Sequence, residues 1–318
     1  MTGASSLIGG ALVARLLARD LDVVVFQRSS AGLDAEEYLG DVADRNALEA
    51  AIAGADGVVH LAARASVTGR WERFERTNVD GTRNVIEAAR SAGVGRFVHV
   101  SSPSVAHAGE ALVGAAADPA DPVAVRGHYA KSKAMAELIA LGAHSSDMAV
   151  VAIRPHLIWG PGDTQLVGRI VERAKAGRMA IIGSGAALID STYIDNAADA
   201  LVAALERVRE IGGSAFVVSN GQPRPVGEML SRIAMAAGAP MPALKVPYAV
   251  ARGGGRVVEG IWERRESAGE PPITRFLAEQ LGTAHWFDQR ATRAALEWKP
   301  KVSIEEGFRR LQEWYESA

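Results

Sequence analysis

The sequence predicts an α/β fold with a doubly wound parallel sheet, and three observations lead to this prediction. Short apolar runs typical of buried strands alternate with segments of helical composition along most of the chain. A glycine-containing turn at residues 2–10 leads directly into one of these helical segments, at residues 11–17. Small or polar residues follow several of the predicted strands. Strands that alternate with helices form parallel sheets, and ligands bind at the carboxyl ends of such strands.

The individual elements follow from local patterns of apolar, charged and turn-forming residues. Strands are predicted at residues 22–27, 57–63, 96–102, 148–154, 180–182 and 215–218. Helices are predicted at residues 11–17, about 44–53, 71–92, 129–141 and 195–208, near 257–262, and at 304–314.

The glycine turn is suited to holding a phosphate group. Gly3, Ser6 and Gly9 have the spacing of the three glycines in a dinucleotide-binding loop, with Ser6 in the middle position. Backbone N–H groups at the N-terminus of the following helix would face the anion. A plain turn before a helix would explain the same residues.

The strand expected before this turn is missing from the sequence. Only Met1 precedes Thr2, whereas a dinucleotide-binding fold has a buried strand there, at the centre of its sheet. We therefore expect the native protein to carry several more apolar residues before Thr2.

The end of the predicted strand at residues 22–27 bears on the choice of nucleotide. NAD-binding folds usually end this strand with an acid that binds the ribose 2′-hydroxyl, but Gln27, Arg28 and Ser29 include none. No acid would repel a 2′-phosphate, and Arg28 could pair with it. We expect NADP(H) to be preferred, with NAD(H) left open. The alternative is that Arg28 is an ordinary exposed arginine.

Tyr129 and Lys133 suggest acid–base chemistry. Four residues apart on a predicted helix, their side chains share one face. A nearby ammonium group lowers the pKa of a phenol, and a tyrosine tuned in this way can act as a general acid on a ketone. A serine such as Ser102 could hold the carbonyl oxygen. Helices contain many such pairs, so a solvated lysine beside a half-buried tyrosine is the alternative.

Taken together, these features resemble the extended short-chain dehydrogenase/reductase family, and the resemblance covers nearly the whole chain. It implies a Rossmann-type sheet with a smaller C-terminal substrate lobe, and it implies that Ser102, Tyr129 and Lys133 are the catalytic residues. The family pattern further implies cofactor contacts at Gly3, Ser6, Leu7, Ile8, Gly9, Arg28, Asp41, Val42, Leu61, Ala62, Ala63, Asn78, Tyr129, Lys133, Pro155 and His156.

Within the family, residues 101–105, 154–156, 270–276 and 285–288 resemble one branch. That branch contains 3β-hydroxysteroid dehydrogenases and the 2-alkyl-3-oxoalkanoate reductases of bacterial olefin biosynthesis. The resemblance implies NADP(H)-dependent reduction of a hydrophobic ketone, with a 2-alkyl-3-oxo acid favoured over a 3-ketosteroid. Two further alternatives remain open: a nucleotide-sugar epimerase or dehydratase, and a non-catalytic protein that senses NADP.

Composition sets the remaining expectations. The chain has 318 residues and a net charge of −2, so its overall charge gives no reason to expect a nucleic acid partner. It contains no cysteine, which excludes disulfides and thiol catalysis. The seven histidines are scattered without the spacing of a helical metal site, so we expect packing or surface roles and no metal.

No apolar run has the length of a membrane-spanning helix, and we expect a cytoplasmic protein with a small hydrophobic substrate. A homodimer is left open. We expect residues 1–160 to form the NAD(P)-binding core, and residues 161–318 to complete that core and build the substrate lobe.

Overall fold

The computed structural model describes residues 1–66, 69–107, 109–262 and 274–317. Its α-helices are α1 (Leu7–Leu17), α2 (Arg45–Ile52), α3 (Trp71–Phe74), α4 (Gly81–Ser91), α5 (His128–Gly142), α6 (Val167–Lys175), α7 (Ile194–Ile211), α8 (Val226–Ala236), α9 (Tyr248–Trp262), α10 (Arg275–Gly282), α11 (Arg290–Leu296) and α12 (Ile304–Ser317). A π-helical segment, Glu75–Asp80, joins α3 to α4, and a 3₁₀-helix covers Pro103–Ala106.

The strands are mostly short. They are β1 (Val24–Gln27), β2 (Glu36–Leu39), β3 (Gly57–His60), β4 (Arg96–Val100), β5 (Leu112–Ala115), β6 (Ala149–Pro155), β7 (Ile158–Trp159), β8 (Ala180–Ile182), β9 (Leu188–Ile189), β10 (Thr192–Tyr193), β11 (Ala215–Val218), β12 (Arg224–Pro225), β13 (Leu244–Val246) and β14 (His285–Phe287).

The predicted parallel sheet is confirmed. Two parallel groups of strands, β2–β1 and β3–β4–β6–β11, lie side by side, and Thr2 bridges them with parallel contacts to Phe26 and His60. Every strand of this sheet runs in the same direction, and the chain winds outward from Thr2 on both sides. The carboxyl ends of the strands therefore meet along one edge, where ligands bind in such folds.

Helices cover both faces of the sheet, which explains why its central strands read as unbroken apolar runs. All seven residues of β6 are buried. On one face α1 packs against α7, and on the other α2 packs against α4, which in turn contacts α5. Two separate apolar clusters result, one on each side of the sheet.

A groove of about 410 Å³ separates β1 from β3 next to Thr2. Met1 and Thr2 bond to both strands: the Thr2 N–H donates to the Val59 carbonyl at 3.0 Å, and the Phe26 N–H donates to the Met1 carbonyl at 2.8 Å. The sheet thus contains only a short link, formed by Met1 and Thr2, at the position where a dinucleotide-binding fold has a full strand. That apolar residues precede Thr2 in the native protein stays a prediction.

The C-terminal half both extends the main sheet and adds a lobe. β11 pairs with β6 at the edge of the sheet. A smaller sheet has the order β12–β9–β14–β5, and α9 packs against α10 beside it. The helix predicted near residues 257–262 lies in α9, whereas most of the stretch at 270–276 lies outside the described residues. The domain division at residue 160 stays a prediction.

Within the described ranges, no helix combines the length and the apolarity that crossing a membrane would require.

Candidate active site

The three predicted catalytic side chains line one cavity at the carboxyl edge of the main sheet. Ser102 follows β4 and caps the 3₁₀-helix, where its Oγ accepts a hydrogen bond from the Ser104 N–H at 3.3 Å. Tyr129 and Lys133 lie in the first turns of α5, which begins at His128 as the sequence predicted to within one residue. All three line a cavity of about 490 Å³.

Lys133 is held firmly inside the protein. Its side chain is only 3% exposed, and its Nζ donates a hydrogen bond to the Val100 carbonyl at 2.6 Å. Burial lowers the pKa of Lys133 to about 8, although the negative charge of Glu137 acts in the opposite direction. Lys133 can therefore lose its charge at mildly alkaline pH.

A buried ion pair fixes the helix that carries these residues. Arg154 on β6 binds Glu137 on α5 through two hydrogen bonds, from Nε to Oε2 at 2.8 Å and from Nη2 to Oε1 at 2.5 Å. The two side chains are 1% and 0% exposed. Because paired guanidinium–carboxylate bonds demand one geometry, this contact sets the position of α5 on the sheet.

The expectation that Lys133 lowers the pKa of Tyr129 is wrong for this structure. Burial raises the pKa of Tyr129 above its ordinary value, and only a hydrogen bond with Ser102 opposes the increase. Lys133 instead directs its ammonium group to the Val100 carbonyl. Tyr129 therefore keeps its proton at neutral pH, which is the state that a proton donor requires.

The glycine turn forms the nucleotide end of the same cleft. A smaller cavity of about 180 Å³ lies against residues that were predicted to bind a cofactor: Gly3, Ser6, Arg28, Asp41, Val42, Leu61, Ala62 and Ala63. Gly3 has a φ of +76°, and a Cβ atom there would lie 2.7 Å from the Ala62 nitrogen. Only glycine fits this position, because its bare backbone lets the turn approach the end of β3.

Ser6 has a role that the sequence did not reveal. Its Oγ donates to the Gly3 carbonyl at 2.9 Å and accepts from the Gly9 N–H at 3.1 Å, so it caps α1. The N–H groups of Leu7 and Ile8, at the start of the helix, have no partners within the helix and could face a phosphate. The turn, the cap and the small residues after β3 fit the pyrophosphate of a dinucleotide.

Arg28 is exposed at the end of β1 and lines the smaller cavity. A carboxylate does lie near this end of β1, although no acidic residue is adjacent to Arg28 in the sequence. The Glu37 carboxylate on β2 accepts a hydrogen bond from the Gln27 side chain and another from the Ala31 N–H at 3.2 Å. Glu37 is ten residues away in sequence, and only the β1–β2 pairing brings it here.

Three predicted cofactor residues line neither cavity among the described residues: Leu7, Gly9 and Asn78. Asn78 is buried in the π-helical segment, where its amide accepts from the Arg64 N–H at 2.7 Å and donates to Ser132 Oγ at 2.8 Å. These bonds tie α5 to the segment after β3. The structure thus gives Asn78 a positioning role, and its contact with a cofactor stays a prediction.

The substrate end of the cleft is mostly apolar, and its walls come largely from the C-terminal half: Leu166, Ile170, Met229, Leu230, Leu277 and Leu281. Pro155 and His156, which were predicted to contact the cofactor, line it where β6 ends, and that contact stays a prediction. Burial lowers the pKa of His156 to about 3, so this imidazole is neutral at physiological pH. It packs edge-on against Phe287, with ring centres 5.0 Å apart.

Two further histidines in the cavity wall were not predicted as site residues. His107 and His285 are nearly fully buried, and their Nε2 atoms lie 3.0 Å apart. They are brought together because β14 pairs with β5, which joins segments far apart in sequence. The sequence predicted packing or surface roles for the histidines, and no local pattern linked these two.

Among the described residues, no group of three or more histidine, aspartate or glutamate side chains is arranged to hold a metal ion.

The parallel sheet and the glycine turn are typical of a nucleotide-binding oxidoreductase, and Ser102, Tyr129 and Lys133 line the cavity at the edge of this sheet. Comparison with known proteins agrees: residues 1–219 match the NAD dependent epimerase/dehydratase family. The chain belongs to this family.

Two curated relatives and one solved structure show how far the similarity extends. The chain is 41% identical to a 2-alkyl-3-oxoalkanoate reductase of Stenotrophomonas maltophilia, over 98% of this chain and 97% of the relative. It is 30% identical to the human sterol-4-alpha-carboxylate 3-dehydrogenase, decarboxylating, over 97% of this chain and 85% of the relative. MoeE5 in complex with UDP-glucose and NAD has a similar fold, with a TM-score of 0.75, 24% identity and coverage of 99% and 97%.

These findings confirm the predicted family and the predicted class of reaction. The protein is an oxidoreductase that acts on the CH–OH group of an alcohol or on the corresponding ketone.

Proposed function

We propose that this protein is an NADP(H)-dependent 2-alkyl-3-oxoalkanoate reductase. The observation that carries the proposal is the placement of Ser102, Tyr129 and Lys133 in the wall of a largely apolar cavity. Similarity along nearly the full length to a 2-alkyl-3-oxoalkanoate reductase supports the substrate class. A 3-ketosteroid is the second candidate, favoured by the similarity to a sterol dehydrogenase.

The cavity suits a substrate with alkyl chains. Its volume of about 490 Å³ lies within the range of roughly 300–1,000 Å³ that is typical of small-molecule sites. Leucine, isoleucine, valine and methionine side chains from α6, α8 and α10 supply much of its wall. Apolar chains gain free energy when they leave water for such surroundings.

Each of the three site residues has its own role in the proposed reaction. Tyr129, which keeps its proton because burial raises its pKa, donates that proton to the carbonyl oxygen as the alcohol forms. The Ser102 hydroxyl donates a hydrogen bond to the same oxygen while negative charge develops there. The Lys133 ammonium, which also donates to the Val100 carbonyl, binds the ribose. A bound nicotinamide would supply the hydride to the carbonyl carbon.

The proposed preference for NADP(H) rests on Arg28, which is exposed at the nucleotide end and forms no ion pair within the part of the chain that the structure describes. A guanidinium group binds phosphate with two hydrogen bonds, so Arg28 suits a 2′-phosphate. Glu37 is already bonded to Gln27 and Ala31, which leaves less of its carboxylate free for a ribose hydroxyl.

The test is a comparison of substrates and cofactors in a steady-state assay of the purified protein. NADPH and NADH are each offered with a 2-alkyl-3-oxoalkanoate, a 3-ketosteroid and UDP-glucose. We expect the fastest cofactor oxidation with NADPH and the oxoalkanoate. Turnover of UDP-glucose alone, with NAD retained by the purified protein, would contradict the proposal and favour an epimerase.

The proposed cytoplasmic location and the homodimer left open earlier rest on the sequence alone. Cell fractionation tests the first, and light scattering of the purified protein decides the second.

A further inference from the structure

The proposed substrate carries a carboxylate close to the reacting carbonyl, and the cavity must accommodate that charge. An ionised carboxylate that leaves water for apolar surroundings needs a positive partner or hydrogen-bond donors. Among the described residues that line the cavity, the side chains able to carry positive charge are Lys133, His107, His156 and His285.

Two of these four groups are poorly suited to the carboxylate. Lys133 donates to the Val100 carbonyl and holds the ribose in the proposed mechanism. His156 lies where β6 ends, next to the expected nicotinamide position, and packs on Phe287 with a pKa of about 3. His107 and His285 remain.

The hydrogen bonds of His285 determine its protonation state. Its Nδ1 lies 2.9 Å from the Thr283 carbonyl oxygen, which can only accept, so Nδ1 carries a proton. The neighbouring Thr283 hydroxyl donates to the Glu279 carbonyl at 2.7 Å, and it therefore has no proton left for the imidazole. In the neutral ring, Nε2 of His285 must be an acceptor.

It follows that Nε2 of His107 donates to Nε2 of His285 across the 3.0 Å contact. The other nitrogen of His107, Nδ1, then has a free lone pair. It is buried and has no hydrogen-bond partner among the described residues. The pair thus has one vacant proton-accepting atom, on a side chain that lines the cavity, and a second proton would place a full positive charge on the pair.

Charged groups of both signs lie near the pair. Glu279 on α10 is only 2% exposed and pairs with three guanidinium groups, from Arg126 at 2.9 Å, Arg252 at 3.1 Å and Arg275 at 2.9 Å. Glu279 and Glu110 raise the pKa of His107, and Arg126 lowers it. These charges act in both directions, so burial remains the main reason that the pKa of His107 is lowered.

We propose that the His107–His285 pair recognises the substrate carboxylate by taking up one proton from solvent as the substrate enters. An N–H bond forms at His107 Nδ1, and the resulting imidazolium remains hydrogen-bonded to His285 through Nε2. The pair is then a specificity-determining element for acids over neutral ketones and alcohols. This inference rests on the proposed function.

Burial of the two imidazoles supports the need for a ligand. Both imidazoles have lowered pKa values, His285 at about 4, chiefly through burial and, for His285, next through the charge of His107. The pair is therefore neutral at physiological pH until a negative charge arrives. Binding of a carboxylate raises the pKa of the pair, whereas binding of a neutral ester does not.

The first experiment compares an acid with its methyl ester. Because 3-oxo acids lose carbon dioxide readily, the stable 2-alkyl-3-hydroxyalkanoic acid and its ester are oxidised with NADP⁺ or NAD⁺. His107→Gln keeps a neutral donor towards His285 but cannot take up the proton. We expect kcat/KM for the acid to fall by about tenfold to a hundredfold, the scale of a lost charge-assisted bond, and kcat/KM for the ester to stay unchanged.

Matched variants separate recognition from damage to the fold. His285→Asn keeps a donor for the Thr283 carbonyl and should show the same loss for the acid only. His144→Gln alters an exposed histidine that is not among the cavity residues and should change neither substrate. A loss that is equal for acid and ester in both pair variants would mean a structural role and would overturn the inference.

The second experiment measures proton uptake directly in the wild-type protein. Calorimetric titration of the hydroxy acid into the wild-type complex with reduced cofactor, in two buffers of different ionisation enthalpy, measures proton uptake. We expect about one proton with the acid and none with the ester. No uptake with the acid would contradict the inference, and so would uptake that persists in His107→Gln, since Lys133 would then be its source.

These outcomes are distinguishable from failure of the proposed function. If the wild-type protein oxidises neither the hydroxy acid nor its ester with either cofactor, the proposed function fails and the inference with it. If it oxidises both with equal efficiency and without proton uptake, the reductase stands and the role of the histidine pair is refuted.

Discussion

The nucleotide end of the cleft and its substrate end differ in what forms their walls. At the nucleotide end, the first residues of the chain present backbone: Gly3 at positive φ, the first turn of α1, and the small residues after β3. At the substrate end, apolar side chains from α6, α8 and α10 enclose a larger space, with histidines in the wall. Contacts made by backbone atoms depend little on which side chains are present. Contacts at the substrate end are made by side chains and therefore change with them.

This difference explains why relatives in one family act on different compounds. A turn built from glycine and a capping serine binds any dinucleotide, because a helix N-terminus recognises only the phosphate charge. The substrate walls come from segments that are far apart in sequence and can change independently. The predicted catalytic residues, Ser102 after β4 and Tyr129 and Lys133 on α5, line the larger cavity.

Removing the proposed proton donor, Tyr129, should produce the largest effect. It should slow turnover without weakening cofactor binding. Tyr129→Phe keeps the ring and its packing, so we expect cofactor affinity to be nearly unchanged. Turnover should fall by about a hundredfold to ten-thousandfold, the range of lost general acid catalysis. Steady-state kinetics and fluorescence titration of the cofactor measure the two quantities. Tyr38→Phe, at an exposed tyrosine of β2, is the control.

The distinction between the nucleotide end and the substrate end would be wrong if Tyr129→Phe weakened cofactor binding as strongly as it slowed turnover. The phenol would then be part of the nucleotide end.

The buried ion pair beneath the catalytic helix should have the next largest effect. Glu137→Gln leaves the Arg154 charge buried without its partner, which typically costs about 3–5 kcal/mol in the free energy of unfolding. Denaturant titration measures the loss. The control is Glu87→Gln, which breaks an exposed pair with Arg45 and should cost less than about 1 kcal/mol. Equal losses would show that the buried pair does not fix α5.

Lys133 should make stability depend on pH in a definite direction. Burial holds its pKa at about 8 in the folded protein, below the ordinary value of 10.5. Between these pH values the unfolded chain binds more protons than the folded one, so the free energy of unfolding rises with pH. The full effect is roughly 3 kcal/mol, from about 1.4 kcal/mol per pKa unit.

The test follows the free energy of unfolding from pH 8 to pH 10 in the wild type and in Lys133→Met, without added cofactor. Other lysines and tyrosines titrate in both proteins and cancel in the difference. We expect the wild type to gain stability relative to the variant as pH rises. Parallel curves would show that Lys133 is charged throughout and better solvated than its burial indicates.

Arg28 allows the choice between NADPH and NADH at the nucleotide end to be tested. If its guanidinium group binds the 2′-phosphate, Arg28→Ala should narrow the preference for NADPH over NADH by about tenfold to a hundredfold, and turnover with saturating cofactor should stay unchanged. Fluorescence titration with both cofactors measures the preference. Arg83→Ala, at an exposed arginine paired with Asp80, serves as the control. Equal affinities in the wild type would remove the argument for NADP.

The helix that carries Tyr129 and Lys133 and the turn around Gly3 could be predicted from the sequence, because each follows from a local pattern. The Tyr129–Lys133 spacing on a helix and the turn around Gly3 need no information beyond neighbouring residues. The cap formed by Ser6 was missed because the family spacing drew attention to the glycine it replaces. The assignment of Asn78 to the cofactor stays a prediction, and its bonds to Arg64 and Ser132 were not foreseen.

The substrate end could not be predicted, because its contacts join distant parts of the chain. Nothing near His107 indicates that β14 will place His285 beside it. Likewise, Glu37 reaches Gln27 only through the pairing of β1 with β2. The raised pKa of Tyr129 was also missed, since burial outweighed the effect expected from Lys133. Such quantities depend on the folded surroundings and not on spacing.

The central claim, that the cleft passes a hydride from a nucleotide at one end to a ketone at the other, has a direct test. The protein is incubated with a 2-alkyl-3-oxoalkanoate and reduced cofactor that carries deuterium at the transferable position of the nicotinamide. Mass spectrometry of the product should find deuterium on the carbon that bears the new hydroxyl group, and Tyr129→Phe should form this product far more slowly. A hydroxy acid without deuterium, or no product beside an epimerised sugar nucleotide, would contradict the account.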